Sequence, residues 1–326
     1  MGSKSASDTA TVAESTESDL AQQYPTPAPE PTVSFAALKD RIRHHYELAS
    51  DYYYSLWGEH IHHGYFLDPN DTKEIAQTRL IDLLLDRSGL EKGSAVLDVG
   101  CGIGGTSRYL ARNHNCHVTG ITISGKQVEM ATRFSSEQQI NPKTTTTGHP
   151  IKLNRGSVRF LELDAETMGT YFSAQDTFNC VWISEAMSHL PDKALFFANA
   201  FKVLRPGGKL AIADWFKAED LTDEQLEADI RPIEDGMLLP PLSTQSHYVH
   251  LAHQAGFETI SPPFDISSNV AKTWDISWSL IQNPSLWAFA LSQGRDGIAF
   301  LQAFRAMRRG YANGSFRYAV MVFGRA

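Results

Sequence analysis

The stretch VLDVGCGIGGTSRYLA, residues 96–111, decides the fold of this chain of 326 residues. Apolar residues run into Asp98, and four glycines then follow within the six positions from Gly100 to Gly105. This pattern predicts a buried strand, a glycine-rich turn and a helix that starts near Thr106. Because glycine has no Cβ and a helix N-terminus presents free N–H groups, a nucleotide-like ligand can lie across the turn.

The same glycines fit GxGxxG, the fingerprint of dinucleotide binding. That fingerprint also requires an acidic residue about 20 positions further on, at the end of the second strand. Here the second strand, 116–121, runs into Thr122, Ile123 and Ser124, with no carboxylate. A dehydrogenase is therefore disfavoured. A ligand-free turn is the remaining alternative, and the conformational entropy lost by four glycines argues against it.

Composition excludes several classes of protein. The net charge of −8 and the lack of a basic run argue against a nucleic-acid partner. The three cysteines form no CxxC pair, which indicates free thiols in a reducing compartment. The sequence has no apolar run of about 18 residues and no secretory signal, so we expect no membrane span and a cytoplasmic location.

Strands and helices alternate along the middle of the chain, which predicts an α/β fold with a parallel sheet and right-handed crossovers. Strands are expected at 95–99, 116–121, 157–162, 178–183, 209–215 and 316–324, a loop or short strand at 260–270, and a polar surface insertion at 141–157. The predicted organisation is a disordered tail (1–34), a helical cover (35–92), a ligand-binding core (93–215), a helical lid (216–305) and a last strand that completes the sheet (306–326).

The DxGCGxGG form of residues 98–105 resembles motif I of the class I S-adenosylmethionine-dependent methyltransferases. Further segments resemble the group of γ-tocopherol, coclaurine N- and sterol 24-C-methyltransferases, in the same order. They are YELASDYYYSLWGEHIHHGYF (46–66), GITISGKQVEMA (120–131), LELDAETM (161–168), VWISEAMSHLPDK (181–193) and FKVLRPGGKLAIADW (201–215). The resemblance implies a Rossmann-like, mostly parallel sheet of seven strands with helices on both faces, and S-adenosyl-L-methionine as the cofactor.

The resemblance also implies the residues that bind this cofactor. On the methionine and ribose side they are Asp98, Gly100, Gly102 and Gly104; for the ribose hydroxyls, Thr122 and Gln127; and at the adenine, Asp164 and Ala165. Neutral side chains can bind ribose, because its hydroxyls both donate and accept. Asp164 can equally be the N-cap of a helix ahead of Glu166, and both roles can coexist.

Catalytic residues are expected after the fourth core strand, where Glu185 and His189 stand in SEAMSHLPD. His189 matches the histidine of the Glu-His pair in coclaurine-type enzymes, but Ser188 replaces the glutamate of that pair, and Glu185 aligns with an acid of the sterol enzymes. With an ordinary pKa near 6.5, His189 can take a proton from an ammonium or a hydroxyl. The alternative is an orienting role. Tyr46 is the third candidate, from its match to the motif tyrosine of the group.

Other aromatic and histidine residues are more ambiguous. We expect no metal site, because metal ligands confined to one short loop (His60, His62 and His63) are a weak signal for metal binding. Four tryptophans either line an acceptor pocket or pack the core: Trp215, Trp274, Trp278 and Trp287.

The predicted function is therefore methyl transfer to a small lipophilic or specialised metabolite. N-methylation is favoured, with C- or O-methylation of an isoprenoid, sterol-like or phenolic acceptor as the alternative. A cyclase or pericyclase that binds the cofactor without methyl transfer is an alternative of another class, as is a noncatalytic binding protein.

Overall fold

The computed structural model describes residues 35–139, 146–172, 177–280, 287–288, 290–291 and 294–326. The predicted tail, 1–34, lies outside these residues. A single sheet of eight strands is at the centre, in the order β3-β4-β2-β1-β5-β6-β8-β7. The strands are β1 Ala95–Val99, β2 His117–Thr122, β3 Ile151–Leu153, β4 Gly156–Glu162, β5 Phe178–Ser184, β6 Leu204–Lys217, β7 Glu258–Asp265 and β8 Phe316–Gly324.

The strands β4, β2, β1, β5 and β6 are parallel, as the strand–helix alternation predicts, while β8 and β3 are antiparallel to their neighbours. All five parallel strands therefore end at the same edge of the sheet, which is where α/β folds bind ligands. Helices cover both faces. They are α1 Phe35–Trp57, α2 Lys73–Ser88, α3 Gly105–His114, α4 Gly125–Glu137, α5 Met168–Tyr171, α6 Lys193–Val203, α7 Asp223–Gln225, α8 Arg231–Gly236, α9 Gln245–Gln254, α10 Ser267–Val270, α11 Lys272–Leu280 and α12 Arg295–Asn313.

The sheet has eight strands rather than the seven expected. The additional strand is β3, within the stretch 141–157 that the sequence predicts to be a surface insertion. It pairs antiparallel with β4, and its three residues alternate buried, exposed, buried. Three residues are too few for periodicity to reveal a strand among polar neighbours.

Part of the segment predicted as a lid, 216–305, belongs to the sheet, since β7 overlaps the loop or short strand expected at 260–270. Strand β7 is the edge strand beside β8, and it tolerates Pro262 and Pro263 because an edge strand pairs on one side only. Helix α9 packs on the core through Tyr248, whose ring meets those of Phe197 and Phe216. The boundaries of the other predicted domains remain predictions.

Candidate active site

The glycine turn after β1 has the conformation that its sequence predicts. Gly100, Gly102 and Gly104 all have positive φ angles, of 70°, 52° and 78°. A Cβ on Gly102 would meet no atom within 4 Å, so this residue faces open space. Gly104 is different and corrects our prediction, since a Cβ there would lie 2.7 Å from the Phe160 ring. Gly104 is required for packing of the turn against β4 and does not line the cleft.

Asp98, the last residue but one of β1, has a buried carboxylate that accepts a hydrogen bond from Ser107 Oγ at 2.6 Å. Burial raises the pKa of Asp98 to about 6, although the bond from Ser107 acts in the opposite direction. This carboxyl group therefore changes its charge close to neutral pH.

Two further predicted positions lie at the ends of β2 and β4. The Thr122 hydroxyl donates to Gln127 Oε1 at 2.6 Å, which fixes the orientation of the Gln127 amide at the first turn of α4. Asp164 caps the short helix Ala165–Thr167 by accepting from the Glu166 N–H at 2.9 Å, as one of the two predicted roles requires. Lys39 of α1 donates to the other carboxylate oxygen of Asp164 at 2.8 Å.

These strand ends surround a cleft with about 1170 Å³ of empty space, counted to its open mouth. All the predicted cofactor-binding and catalytic residues line it, apart from Gly104. The strand ends therefore bring the predicted cofactor-binding and catalytic residues to one cleft.

A second cavity adjoins the cleft, with about 790 Å³ of empty space counted to its open mouth, and we call it the aromatic chamber. The two share six lining residues: Ile42, Tyr46, Ile61, His62, Glu185 and His189. The remaining lining residues of the chamber are Trp57, His63, Trp215, Met237, Leu238, Thr273, Trp274, Phe300 and Phe304. Of the four tryptophans singled out in the sequence, Trp215 and Trp274 line the chamber. Trp278 packs in the core, with Arg308 above its ring, and Trp287 packs against the same core.

Glu185 lies at the boundary between the cleft and the chamber, in a left-handed backbone conformation with φ 54°. Its carboxylate accepts three hydrogen bonds: from the His63 N–H at 2.7 Å, from His63 Nδ1 at 3.0 Å and from the Tyr318 hydroxyl at 2.8 Å. Burial alone would raise the pKa of Glu185, but its bonds with His63 outweigh burial and lower it. Glu185 is therefore a fixed negative charge at this boundary.

His63 is held in one tautomer. The indole N–H of Trp274, which can only donate, lies 2.6 Å from His63 Nε2, so this nitrogen is an acceptor. The proton is then on Nδ1, facing Glu185. His63 and Glu185 stand 122 positions apart, and no spacing rule links them. Sequence analysis therefore missed His63 as the partner of the predicted acid.

Tyr46 and His189 meet at the same boundary, with Tyr46 Oη 3.5 Å from His189 Nε2. Burial, reinforced by the charge of Glu185, raises the pKa of Tyr46 to about 12, so its hydroxyl stays protonated. The His189 ring also lies 6.2 Å from the Trp215 ring, between centroids. The three predicted catalytic residues are thus brought together where the two cavities join.

Two histidines of the histidine loop, His62 and His63, are held by hydrogen bonds to protein groups. His63 is bound to Glu185, and His62 Nδ1 donates to the His63 carbonyl at 2.8 Å. Within the described ranges, no group of three or more histidine, cysteine, aspartate or glutamate residues has a metal-binding arrangement. Nor is any helix of the described part of the chain long and apolar enough to cross a membrane.

Two family descriptions match the sequence: mycolic acid cyclopropane synthetase over residues 36–152, and methyltransferase domain over residues 97–212. The chain is 30% identical over 302 residues to a probable chloroplastic tocopherol O-methyltransferase of Oryza sativa subsp. japonica, with 87% of this chain and 77% of that protein covered. This chain is a class I S-adenosylmethionine-dependent methyltransferase. The methyltransferase is also 33% identical to the 27-O-demethylrifamycin SV methyltransferase of Amycolatopsis mediterranei, over 70% of this chain and 77% of that protein.

The solved structure of the mycolic acid cyclopropane synthase CmaA1, complexed with SAH and CTAB, has the same fold. It superposes with a TM-score of 0.71 at 20% identity, covering 91% of the methyltransferase and 99% of CmaA1. The cleft fits S-adenosylmethionine, because Gly102 leaves open the space that a side chain would fill and Asp98, Thr122 and Gln127 face it. When bound, this cofactor supplies an electrophilic methyl group on a sulfonium. The residues of the methyltransferase position it and exclude water.

Proposed function

We propose that this methyltransferase methylates a hydroxyl group of a large, uncharged, lipophilic acceptor held in the aromatic chamber. Methylation of small lipophilic metabolites agrees with the relatives, which are named as tocopherol, rifamycin and sterol methyltransferases. These names give no support to the N-methylation that the sequence favoured, and they support its O- and C-methylation alternative. The cytoplasmic location stays a prediction, since the rice relative is named as chloroplastic.

The observation that carries the proposal is the lining of the aromatic chamber. Rings of Trp215, Trp274, Phe300 and Phe304 form much of its wall, and no lysine or arginine is among the described residues that line it. An anionic group would be buried there without a charged partner, at a cost of several kcal/mol. The chamber therefore favours a neutral acceptor and disfavours phosphate or diphosphate esters.

His189 is the residue that we propose as the general base. Its ring lies at the boundary of the two cavities, where an acceptor hydroxyl would meet the methyl group. As the oxygen–carbon bond forms and the carbon–sulfur bond breaks, the hydroxyl proton passes to His189. The Tyr46 hydroxyl, 3.5 Å from Nε2, orients the imidazole. Such proton transfer is worth about 10²–10⁴-fold in rate.

C-methylation is a second candidate, and the fixed charge of Glu185 favours it. A carboxylate that accepts three hydrogen bonds remains ionised, and it lies beside Tyr46 and the tryptophan rings of the chamber. Charge of this kind and aromatic faces both stabilise a carbocation formed by methyl addition to an alkene or ring.

A matched panel of acceptors tests the proposal. Purified enzyme receives methyl-labelled S-adenosylmethionine together with a prenylated hydroquinone, the monophosphate ester of the same hydroquinone (which keeps one free hydroxyl), a sterol and a long-chain amine. Mass spectrometry should find label on the phenol oxygen, and at least about 100-fold less product from the phosphate ester. The Gly102→Asp variant serves as the control for uncatalysed transfer.

Other outcomes contradict the proposal in distinct ways. Label on carbon would favour the second candidate, and label on nitrogen would restore the N-methylation hypothesis. Tight cofactor binding with no labelled product from any acceptor would favour the cyclase alternative.

A further inference from the structure

Helix α1 crosses the cleft, with Lys39, Ile42 and Tyr46 lining it. Lys39 and Glu47 connect this helix to the core on two sides. Lys39 donates to Asp164 at 2.8 Å and also to Glu166, both just after β4. Glu47 accepts from the Ser124 hydroxyl at 2.9 Å, just after β2. The helix is therefore fixed above the ends of β2 and β4, where the ribose and adenine positions are expected.

Of these two contacts with the core, that of Lys39 has the larger electrostatic attraction, because one ammonium faces two carboxylates. The side chains of Lys39 and Glu166 are 23% and 14% exposed, so solvent only partly screens this contact. Partial burial alone would lower the pKa of Lys39, but the hydrogen bonds with Asp164 and Glu166 raise it above its ordinary value. Lys39 is charged at any pH that the folded protein would meet.

We propose that Lys39 is a positioning residue for the cofactor: its ion pairs with Asp164 and Glu166 hold α1 over the adenosine half of the cleft and slow the dissociation of S-adenosylmethionine. The inference depends on cofactor binding and not on the acceptor. Glu166 can distinguish an effect through α1 from a direct contact of Lys39 with the cofactor. It binds Lys39 but is not among the described residues that line the cleft. Loss of Glu166 weakens the hold on α1 without removing a cleft residue.

The test measures the rate at which S-adenosylhomocysteine leaves the protein, by stopped-flow fluorescence, together with its Kd by calorimetry. We expect Lys39→Met to increase the dissociation rate about fivefold and Glu166→Gln to increase it by a smaller factor. The double variant should dissociate no faster than Lys39→Met, because both changes break one contact. Lys39→Arg, which can still pair with two carboxylates, should restore slow dissociation.

Arg43→Met is the matched control, since Arg43 is on the same helix and forms an exposed ion pair with Asp40. Its dissociation rate should equal that of the wild type. Added salt should accelerate dissociation from the wild type more than from Lys39→Met. An unchanged rate in Lys39→Met overturns the inference. So does an effect of Lys39→Met with none of Glu166→Gln, which would mean that Lys39 contacts the cofactor directly. Thermal unfolding of each variant without ligand identifies misfolding, and Lys39→Arg keeps the inference testable if Lys39→Met does not fold.

Discussion

The cofactor cleft and the aromatic chamber are adjacent but are built in opposite ways. Most of the cleft is formed by short contiguous segments directly after β1, β2, β4 and β5, with glycines and capped helix starts, while α1 and the histidine loop complete its wall. The chamber is formed by side chains from α1, the histidine loop, β6, α11 and α12, which are distant in sequence. Local sequence thus specifies most of the proposed cofactor site, whereas the tertiary fold specifies the proposed acceptor site.

A charge in the glycine turn should prevent cofactor binding in the cleft and leave the fold intact. Gly102→Asp places a carboxylate in the open space that Gly102 faces, where it would repel a cofactor carboxylate bound against the turn. Two like charges 4 Å apart repel by about 4 kcal/mol at an effective dielectric of 20. We therefore expect affinity for S-adenosylhomocysteine to fall about 1,000-fold, measured by calorimetry.

Gly207→Asp is the control for backbone strain. Gly207 also has a positive φ, of 74°, and open space around its Cβ position, but it is exposed within β6, where the pairing with β5 is interrupted between Leu204 and Lys209. The affinity of the Gly207→Asp variant for S-adenosylhomocysteine should equal that of the wild type. If Gly102→Asp binds as tightly as wild type, the cofactor does not lie against this turn.

More of the cleft than of the aromatic chamber could be predicted from the sequence. The positions of Asp98, Gly100 and Gly102 were predictable, because the strand and the turn are encoded in consecutive residues. Gly104 was misassigned, because the sequence does not show that its missing Cβ makes room for the ring of Phe160. Phe160 is on β4, 56 residues further along the chain. Strand β7 was ambiguous because two prolines suggest a loop, and only its place at the edge of the sheet explains them.

Removal of His189 should separate chemistry from cofactor binding. His189→Ala is expected to lower kcat about 100-fold with the preferred acceptor, because the general base is lost. The Kd for S-adenosylhomocysteine should change by less than about twofold, since the turn and the ends of β2 and β4 remain. Tyr46→Phe should have a smaller effect on kcat, because it only removes the hydroxyl that orients His189.

His117→Ala is the control for this series, because His117 is exposed on β2 away from both cavities. Its kcat should match wild type. Full turnover by His189→Ala would assign a structural role to His189 and leave Glu185 as the residue to test.

Glu185 shows why the reacting centre was only partly predictable. Motif position placed it after β5, but its charge depends on His63 and Tyr318, which reach it from two other segments of the chain. The Lys39–Asp164 ion pair joins residues 125 positions apart and has no sequence signal. Candidate residues follow from motifs, whereas their partners and ionisation follow from packing.

The pH dependence of cofactor binding tests whether the ionisation of Asp98 controls the affinity. Burial raises its pKa to about 6, so the protonated form predominates below pH 6 and the carboxylate above it. Affinity for S-adenosylhomocysteine should therefore fall as pH is lowered through 6, by about tenfold at pH 5. Folding stability has the opposite trend: the folded state binds more protons between about pH 4 and 6, so the contribution of Asp98 falls as pH rises through that window.

Two asparagine variants identify the group that titrates. Asp98→Asn should flatten the dependence of Kd on pH. Asp214→Asn should leave it unchanged, although burial also raises the pKa of Asp214 to about 6, because Asp214 is not among the described residues that line the cleft. Persistence of the pH dependence in Asp98→Asn would show that another group controls binding.

The smallest effect is expected in the wall of the aromatic chamber. Trp274→Phe removes the N–H that donates to His63 and part of the ring facing the acceptor. The KM for the acceptor should rise about fivefold while the Kd for S-adenosylhomocysteine stays constant. Trp278→Phe, one turn further along α11 and outside the chamber lining, should leave KM unchanged even if it lowers the melting temperature. Equal KM values for the two variants would mean that the acceptor does not contact this wall, and that the chamber is a packing defect beside the cleft.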